Sequence, residues 1–222
     1  MRIFLGYLLG FGWVFLVLLL VKVLKDRQNL SDEASRKLVH ILVAFAWVPI
    51  TIFLGTTWHS VVPPAVFIVL NAVSYQQGLF SAMERSGGAN QKSLGTVYYA
   101  ISMTVMAVWT HLMPECLGPY GAGLFCMALG DGLAPLAGSI KKGNVRLPGG
   151  RTLYGSLCVF AVSLLVIFVM ARIFALPIAF WQMAVTALAA VLLELAGVHG
   201  LDNLTLPLGV FLLTFFFSLS GS

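Results

Sequence analysis

Long stretches of this chain carry no Asp, Glu, Lys or Arg. They cover residues 3–21, 38–83, 93–114, 116–130, 152–171, 173–193 and 203–222. A helix crosses the hydrocarbon core of a bilayer in about 20 apolar residues. The longest run therefore has room for two spans, with a break between Gly55 and Pro64. The pattern predicts helices at about 3–24, 38–56, 60–80, 94–113, 118–140, 152–171, 174–196 and 204–220. Two are marked by unusual residues. The fifth contains Asp131, and the eighth begins around Pro207. Segments such as 14–21 are apolar on every side, whereas a barrel strand alternates, so the expected fold is all-α. It is a polytopic transmembrane helix bundle of seven to eight spans, forming a single integral membrane domain over residues 1–222. The first span has one early Arg2 and no Ala-x-Ala site behind it, so it reads as a retained helix.

Composition agrees with this picture. Hydrophobic residues make up 59% of the 222 and charged residues 9%, against about 25% charged in soluble domains. That excludes a soluble globule, a disordered chain and a coiled coil. Cys116, Cys126 and Cys158 show no C-x-x-C spacing and read as small filler within spans. His40, His59, His111 and His199 form no metal-type pair at i and i+4, so a zinc site is not expected.

The few charges give an orientation. Lys22, Lys25, Arg27, Arg36 and Lys37 fall in the first predicted loop, Arg85 and Lys92 in the third, and Lys141, Lys142, Arg146 and Arg151 in the fifth. Only Arg2 and Arg172 fall on the other side. Lys and Arg mark cytoplasmic loops, so the N-terminus is expected outside. The acids gather on the same face, with Glu115 as the exception. The positive-inside rule does not require this second result, and it points to a site at the cytoplasmic face. The net charge of +5 then reflects topology and an anionic ligand. No interleaved aromatic and basic pattern of a nucleic-acid binder is present, so no nucleic-acid partner is expected.

Candidate chemistry concentrates around the fifth span. Gly130-Asp131-Gly132 is followed by Gly138, Lys141, Lys142, Gly143, Arg146, Gly149, Gly150, Arg151, Thr152, Gly155 and Ser156. Glycines let a backbone approach a ligand, and successive N–H groups in such turns cradle phosphate. The four basic side chains supply charge for a polyphosphate. Asp131 supplies a hard oxygen, and Mg²⁺ commonly takes one or two carboxylates plus phosphate oxygens. Close helix packing would also explain the glycines, and membrane anchoring the bases. An intramembrane carboxylate is functional by default, and with Asp131 present phosphate and metal binding is the better joint reading.

Two further clusters are candidates. Arg36 and His40 share a helix face at i, i+4, beside Lys37. They suit a phosphate, although an interfacial anchor explains them equally well. Glu194 ends the seventh span, and Asp202-Asn203 opens the eighth, as an ordinary N-cap does. Capping does not explain Glu194. An acid facing a bundle interior more often meets a metal or a hydroxyl.

These residues form an ordered set: Arg36-Lys37-x-x-His40, Gly95-Thr96-Val97-Tyr98-Tyr99, Gly130-Asp131-Gly132-x-Ala134-x-x-x-Gly138, Arg151-Thr152-x-x-Gly155-Ser156, and Glu194 with Leu201-Asp202-Asn203-Leu204-Thr205-x-Pro207. The set resembles the polyprenol kinase family, which takes in dolichol kinases, phytol kinases and CTP-dependent diacylglycerol kinases. That family is distantly related to the phosphatidate cytidylyltransferases. Arg151 stands where the family often has Lys.

The resemblance implies transfer of the γ-phosphoryl of a nucleotide, usually CTP, to the hydroxyl of a membrane lipid alcohol. Asp131 would bind Mg²⁺ on the nucleotide phosphates, with Gly130, Gly132 and Gly138 close to them. Lys141, Lys142 and Arg151 would neutralise the triphosphate, and Arg36 and Lys37 would complete the clamp. Asp202 and Glu194 would take a second metal position or the hydroxyl proton, oriented by Asn203, with His40 as a weaker candidate for the proton. A CDP-lipid-forming enzyme is the alternative, and a small transporter is a third reading. Length and short loops point to a bacterial inner-membrane protein.

Overall fold

The computed structural model describes residues 1–28, 30–77, 94–140, 143–147, 150–198 and 200–221. Of the residues singled out above, Arg85, Lys92, Lys141, Lys142, Gly149 and His199 lie outside this set. Among the described residues every regular element is helical, and β pairing is confined to one antiparallel bridge, Arg146 to Thr152. The all-α expectation therefore holds. Six helical stretches are long and apolar enough to cross a membrane: Arg2–Gln28, Ala34–Leu54, Trp58–Gln77, Pro114–Gly138, Leu153–Ile173 and Asp202–Ser220. Helices also fall within the other two expected spans, 94–113 and 174–196, the latter beginning only at Phe180. One is the 18-residue Gly95–Leu112, rich in Thr and Tyr, and the other is the 17-residue Phe180–Ala196. The chain comprises two compact units, Met1–Leu112 and Met113–Ser222.

The first unit holds α1 (Arg2–Gln28), α2 (Asp32–Ala44), α3 (Trp47–Leu54), α4 (Val62–Gln77) and α5 (Gly95–Leu112). Ser31 caps α2, its hydroxyl accepting from the Ala34 N–H at 3.2 Å. The predicted helix at 38–56 is broken between α2 and α3. Pro49 has no N–H to return to the Phe45 carbonyl. The chain tightens there into i to i+3 bonds from Phe45 to Leu42 and from Ala46 to Val43.

In α1, Gly6, Gly10, Val14, Val17 and Val21 form one buried stripe at helical spacing. It packs on α2 and α3, with Val14 against Ala46, Ile50 and Leu54, and Val17 and Val21 against Val39. The rest of α1 exposes Phe4, Leu8, Phe15, Leu16 and Leu19. Apolar exposure on this scale does not suit a water-soluble monomer; facing lipid it is ordinary. The protein is a membrane protein.

The second unit holds α6 (Leu117–Phe125), a π-helical turn over Cys126–Asp131, α7 (Gly132–Gly138), α8 (Leu153–Ile173), α9 (Phe180–Ala196) and α10 (Asp202–Ser220). The α6–π–α7 stretch is the most enclosed of the six membrane-length stretches, 67% buried against 22–39% for the others. It packs on α8 and α10, and α9 packs on both of those helices. Asp131, in the interior of this stretch, therefore sits in the best-shielded segment.

Gly6 is where α1 comes closest to α3. A Cβ there would run into the Leu54 side chain. Gly6→Val is expected to cost about 1–3 kcal/mol through overpacking and to lower the melting temperature in detergent. Gly12→Val, with nothing within 4 Å of the added carbon, leaves it unchanged. Equal melting of the two variants would contradict this packing.

Candidate functional site

Asp131 closes the π-helical turn and is 4% exposed. Such turns widen a helix locally and recur at functional sites. Pro135 has no N–H to return to the Asp131 carbonyl, and Pro207 has none for the Asn203 carbonyl. Each proline thus removes one i to i+4 helical bond beside a candidate site residue.

The loop after α7 is folded rather than extended. Leu147 N donates to Arg151 O at 2.9 Å and Leu153 N to Val145 O at 2.8 Å. Gly143 and Gly150 turn the chain with φ of 74° and 77°, a region that favours glycine. Asn144 stitches the loop down. Its Nδ2 donates to Gly138 O at 2.9 Å, and its Oδ1 accepts from Tyr154 N at 3.1 Å. The sequence reading missed Asn144; the only local signal is an Asn beside Gly143. Thr152 then caps α8 by accepting from Gly155 N at 3.2 Å.

This folding delivers Arg151 to the ends of two other helices. Its Nε lies 2.6 Å from Glu194 Oε1, in the last turn of α9. Its Nη2 donates to Asp202 Oδ2 at 2.8 Å and to the Glu194 carbonyl at 3.1 Å. Glu194 is 3% exposed and Asp202 6%. Burial alone would lower the Arg151 guanidinium, but the charges of Glu194, Asp202 and Asp131 outweigh it and raise it above its ordinary value. The charges of three carboxylates thus act on the Arg151 guanidinium. Among the described residues its Nη1 has no hydrogen-bond partner, which leaves one edge of the fork for a further anion.

Asp202 is the first residue of α10, and Leu201 holds the capping position without a side-chain bond. The expected capping role for Asp202 is therefore corrected, because its carboxylate is engaged elsewhere. Oδ2 meets Arg151, and Oδ1 accepts from Asn203 N and Nδ2, both at 3.2 Å. Asn203 Nδ2 also donates to Gly200 O at 3.0 Å, and its buried Oδ1 has no partner among the described residues. The tight α9–α10 connection needs Gly197, where a Cβ would collide with Asp202.

The glycines divide. A Cβ on Gly138 would lie 2.8 Å from Thr152 Oγ1, and one on Gly155 3.2 Å from Ala134 O, so both let α7 approach the start of α8. Gly130 has only ordinary contacts with Val159 and Ser163. Gly132 is buried at the start of α7.

Among the described residues no three His, Cys, Asp or Glu side chains form a metal-ligating cluster. The donor set still fits Mg²⁺. Asp131 is a buried hard-oxygen donor, and Mg²⁺ usually takes few protein carboxylates and completes its shell with phosphate and water.

Arg36, Lys37 and His40 lie on α2 in the first unit. Arg36 and His40 are buried, and Lys37 is half-buried. The His40 ring stacks on Tyr99 of α5, with centroids 4.9 Å apart. That joins two of the motifs singled out in the sequence.

Removing Arg151 should show what it holds. Arg151→Met leaves two buried carboxylates without their counter-charge, an expected loss of about 3–5 kcal/mol. Arg151→Lys keeps the charge without the fork and should melt between wild type and Arg151→Met. Identical melting of all three would contradict a role for this ion pair in joining α8, α9 and α10.

No family model matches the chain, and no solved structure matches it. A phytol kinase of Synechocystis sp. is 31% identical over 198 residues, covering 84% of this chain and 80% of that protein.

Proposed function

This chain belongs to the polyprenol/phytol kinase-like family, and on that premise we propose that it is a membrane lipid kinase. It moves the γ-phosphoryl of a nucleoside triphosphate, CTP by the family resemblance, to the hydroxyl of a lipid alcohol at the cytoplasmic face of a bacterial inner membrane. The observation that carries this reading is the half-buried Arg151, ion-paired with the buried Glu194 and Asp202 and acted on by the charge of the buried Asp131. Phosphoryl transfer is mainly positioning and charge stabilisation, and these residues supply an acid for a metal and a fixed guanidinium for phosphate.

In this reaction the lipid oxygen bonds to the γ-phosphorus, the bond to the β–γ bridging oxygen breaks, and the nucleoside diphosphate leaves. Asp131 is the first candidate to hold Mg²⁺, which when bound neutralises phosphate charge. Asp202 has both oxygens engaged and acts chiefly as the partner of Arg151. Glu194 and Asp202 are both ion-paired to Arg151. His40, an imidazole, is a further candidate to accept the hydroxyl proton. Arg151, through Nη1, contacts the phosphates with Lys141 and Lys142, and Arg36 and Lys37 add charge. The alternative, a cytidylyltransferase, is not favoured, since the relative is named a kinase. The Lys-Asp pair followed by Pro-Gly-His-Gly-Gly and Asp-Arg, expected of that class, is absent from the sequence.

Asp131→Asn keeps the shape of the side chain and removes its charge. It is expected to lower lipid phosphorylation by at least about 100-fold, of the order seen when one preorganised charge is lost, with melting within a few degrees of wild type. Turnover at the wild-type rate in a folded Asp131→Asn protein would overturn the assignment.

A further inference from the structure

The first unit encloses a cavity of about 240 Å³ between α1, α2, α3, α4 and α5. On the same measure a water needs only about 10–15 Å³. An apolar cavity stays dry in water, so in a bilayer hydrocarbon is its natural content.

Its polarity is arranged end to end. The polar lining residues are His40, Asn71, Ser74, Thr96 and Tyr99. Asn71 and Ser74 lie in the last two turns of α4, and Thr96 and Tyr99 in the first two of α5. Asn71 Nδ2 donates to Thr96 O at 3.0 Å and ties those two ends together. His40 stacks on Tyr99 and so belongs to the same end. The opposite end is formed by Ile50, Pro63 and Pro64. From Pro63 to Ser74 along α4 is about 16 Å at 1.5 Å per residue, close to one leaflet of a hydrocarbon core about 30 Å thick. The wall also includes Phe15, Leu70 and Val73, which are 64%, 46% and 39% exposed. The cavity therefore reaches the lipid-facing surface of its unit, and a chain can enter sideways from the bilayer.

We infer that this cavity binds the hydrocarbon chain of a single-chain lipid alcohol, with its hydroxyl beside His40 and Tyr99. One polar end, one apolar bore and a leaflet's length match one chain with one small head. This rests on the proposed lipid-kinase reading for the reaction, but the binding can be tested without it.

The test uses the full chain in nanodiscs. A single-chain isoprenoid alcohol carrying a chain diazirine is photolysed without nucleotide, and labelled peptides are mapped. Labelling within residues 10–18, 39–50, 63–74 and 96–103 is expected, competed by the unlabelled alcohol and far less by diacylglycerol. Two variants then measure turnover against chain length. Ala100→Leu fills the bore and shifts preference to shorter alcohols. Phe67→Ala enlarges it and shifts preference to longer ones, each by about tenfold in relative kcat/KM, as a methylene-scale change in an apolar pocket does. Opposite shifts at equal melting temperature cannot arise from a merely structural effect. Labelling elsewhere, equal competition by diacylglycerol, or unchanged chain-length profiles in both variants would overturn the cavity assignment and leave the kinase reading standing. Competed labelling in the cavity without phosphate transfer to any alcohol would support the binding site and sink the kinase reading.

Discussion

Arg151 is half-buried, and its guanidinium is paired twice with buried carboxylates. Breaking such a pair by removing one partner is far costlier than never having had it. The contacts of Arg151 with Glu194 and Asp202 therefore fix where the last turn of α9 and the first turn of α10 lie relative to the start of α8. Much else in the second unit follows from that constraint. Gly197 has no side chain because Asp202 must come close. Gly138 and Gly155 have none because α7 must come close to the cap of α8. The loop that carries Arg151 is held by Asn144 and by its short antiparallel pairing. Asp131, on the shielded π-helical turn, contributes to the field at the same guanidinium.

The helices were readable because lipid imposes a simple demand. Each long stretch must satisfy its own backbone and expose apolar side chains, so runs without charge mark helices directly. Irregularities were harder to see. The break at Phe45 depends on Pro49, which a hydropathy pattern treats as one more residue in an apolar run. The π-helical turn before Asp131 has no distinct composition. Arg151 finds partners 43 and 51 residues away, and no local spacing tells which acid in a membrane protein meets which base. Asp202-Asn203 looked like a cap because caps and ion-pair partners use the same residue types at helix starts. The glycines posed a similar problem, since packing and phosphate approach both require a missing side chain.

The two units divide the labour on the proposed reading. The second holds Arg151, Glu194 and Asp202, with Asp131 in the most enclosed stretch. The first offers an apolar bore that ends at His40 and Tyr99, two residues from separate motifs in the sequence.

The most direct test of this account follows the label from a γ-labelled nucleoside triphosphate. Purified protein is incubated with Mg²⁺, the labelled nucleotide and a panel of lipid alcohols. The account predicts label in a lipid monophosphate, with the nucleoside diphosphate as the other product. Label released as pyrophosphate, or no transfer to any alcohol, would contradict it.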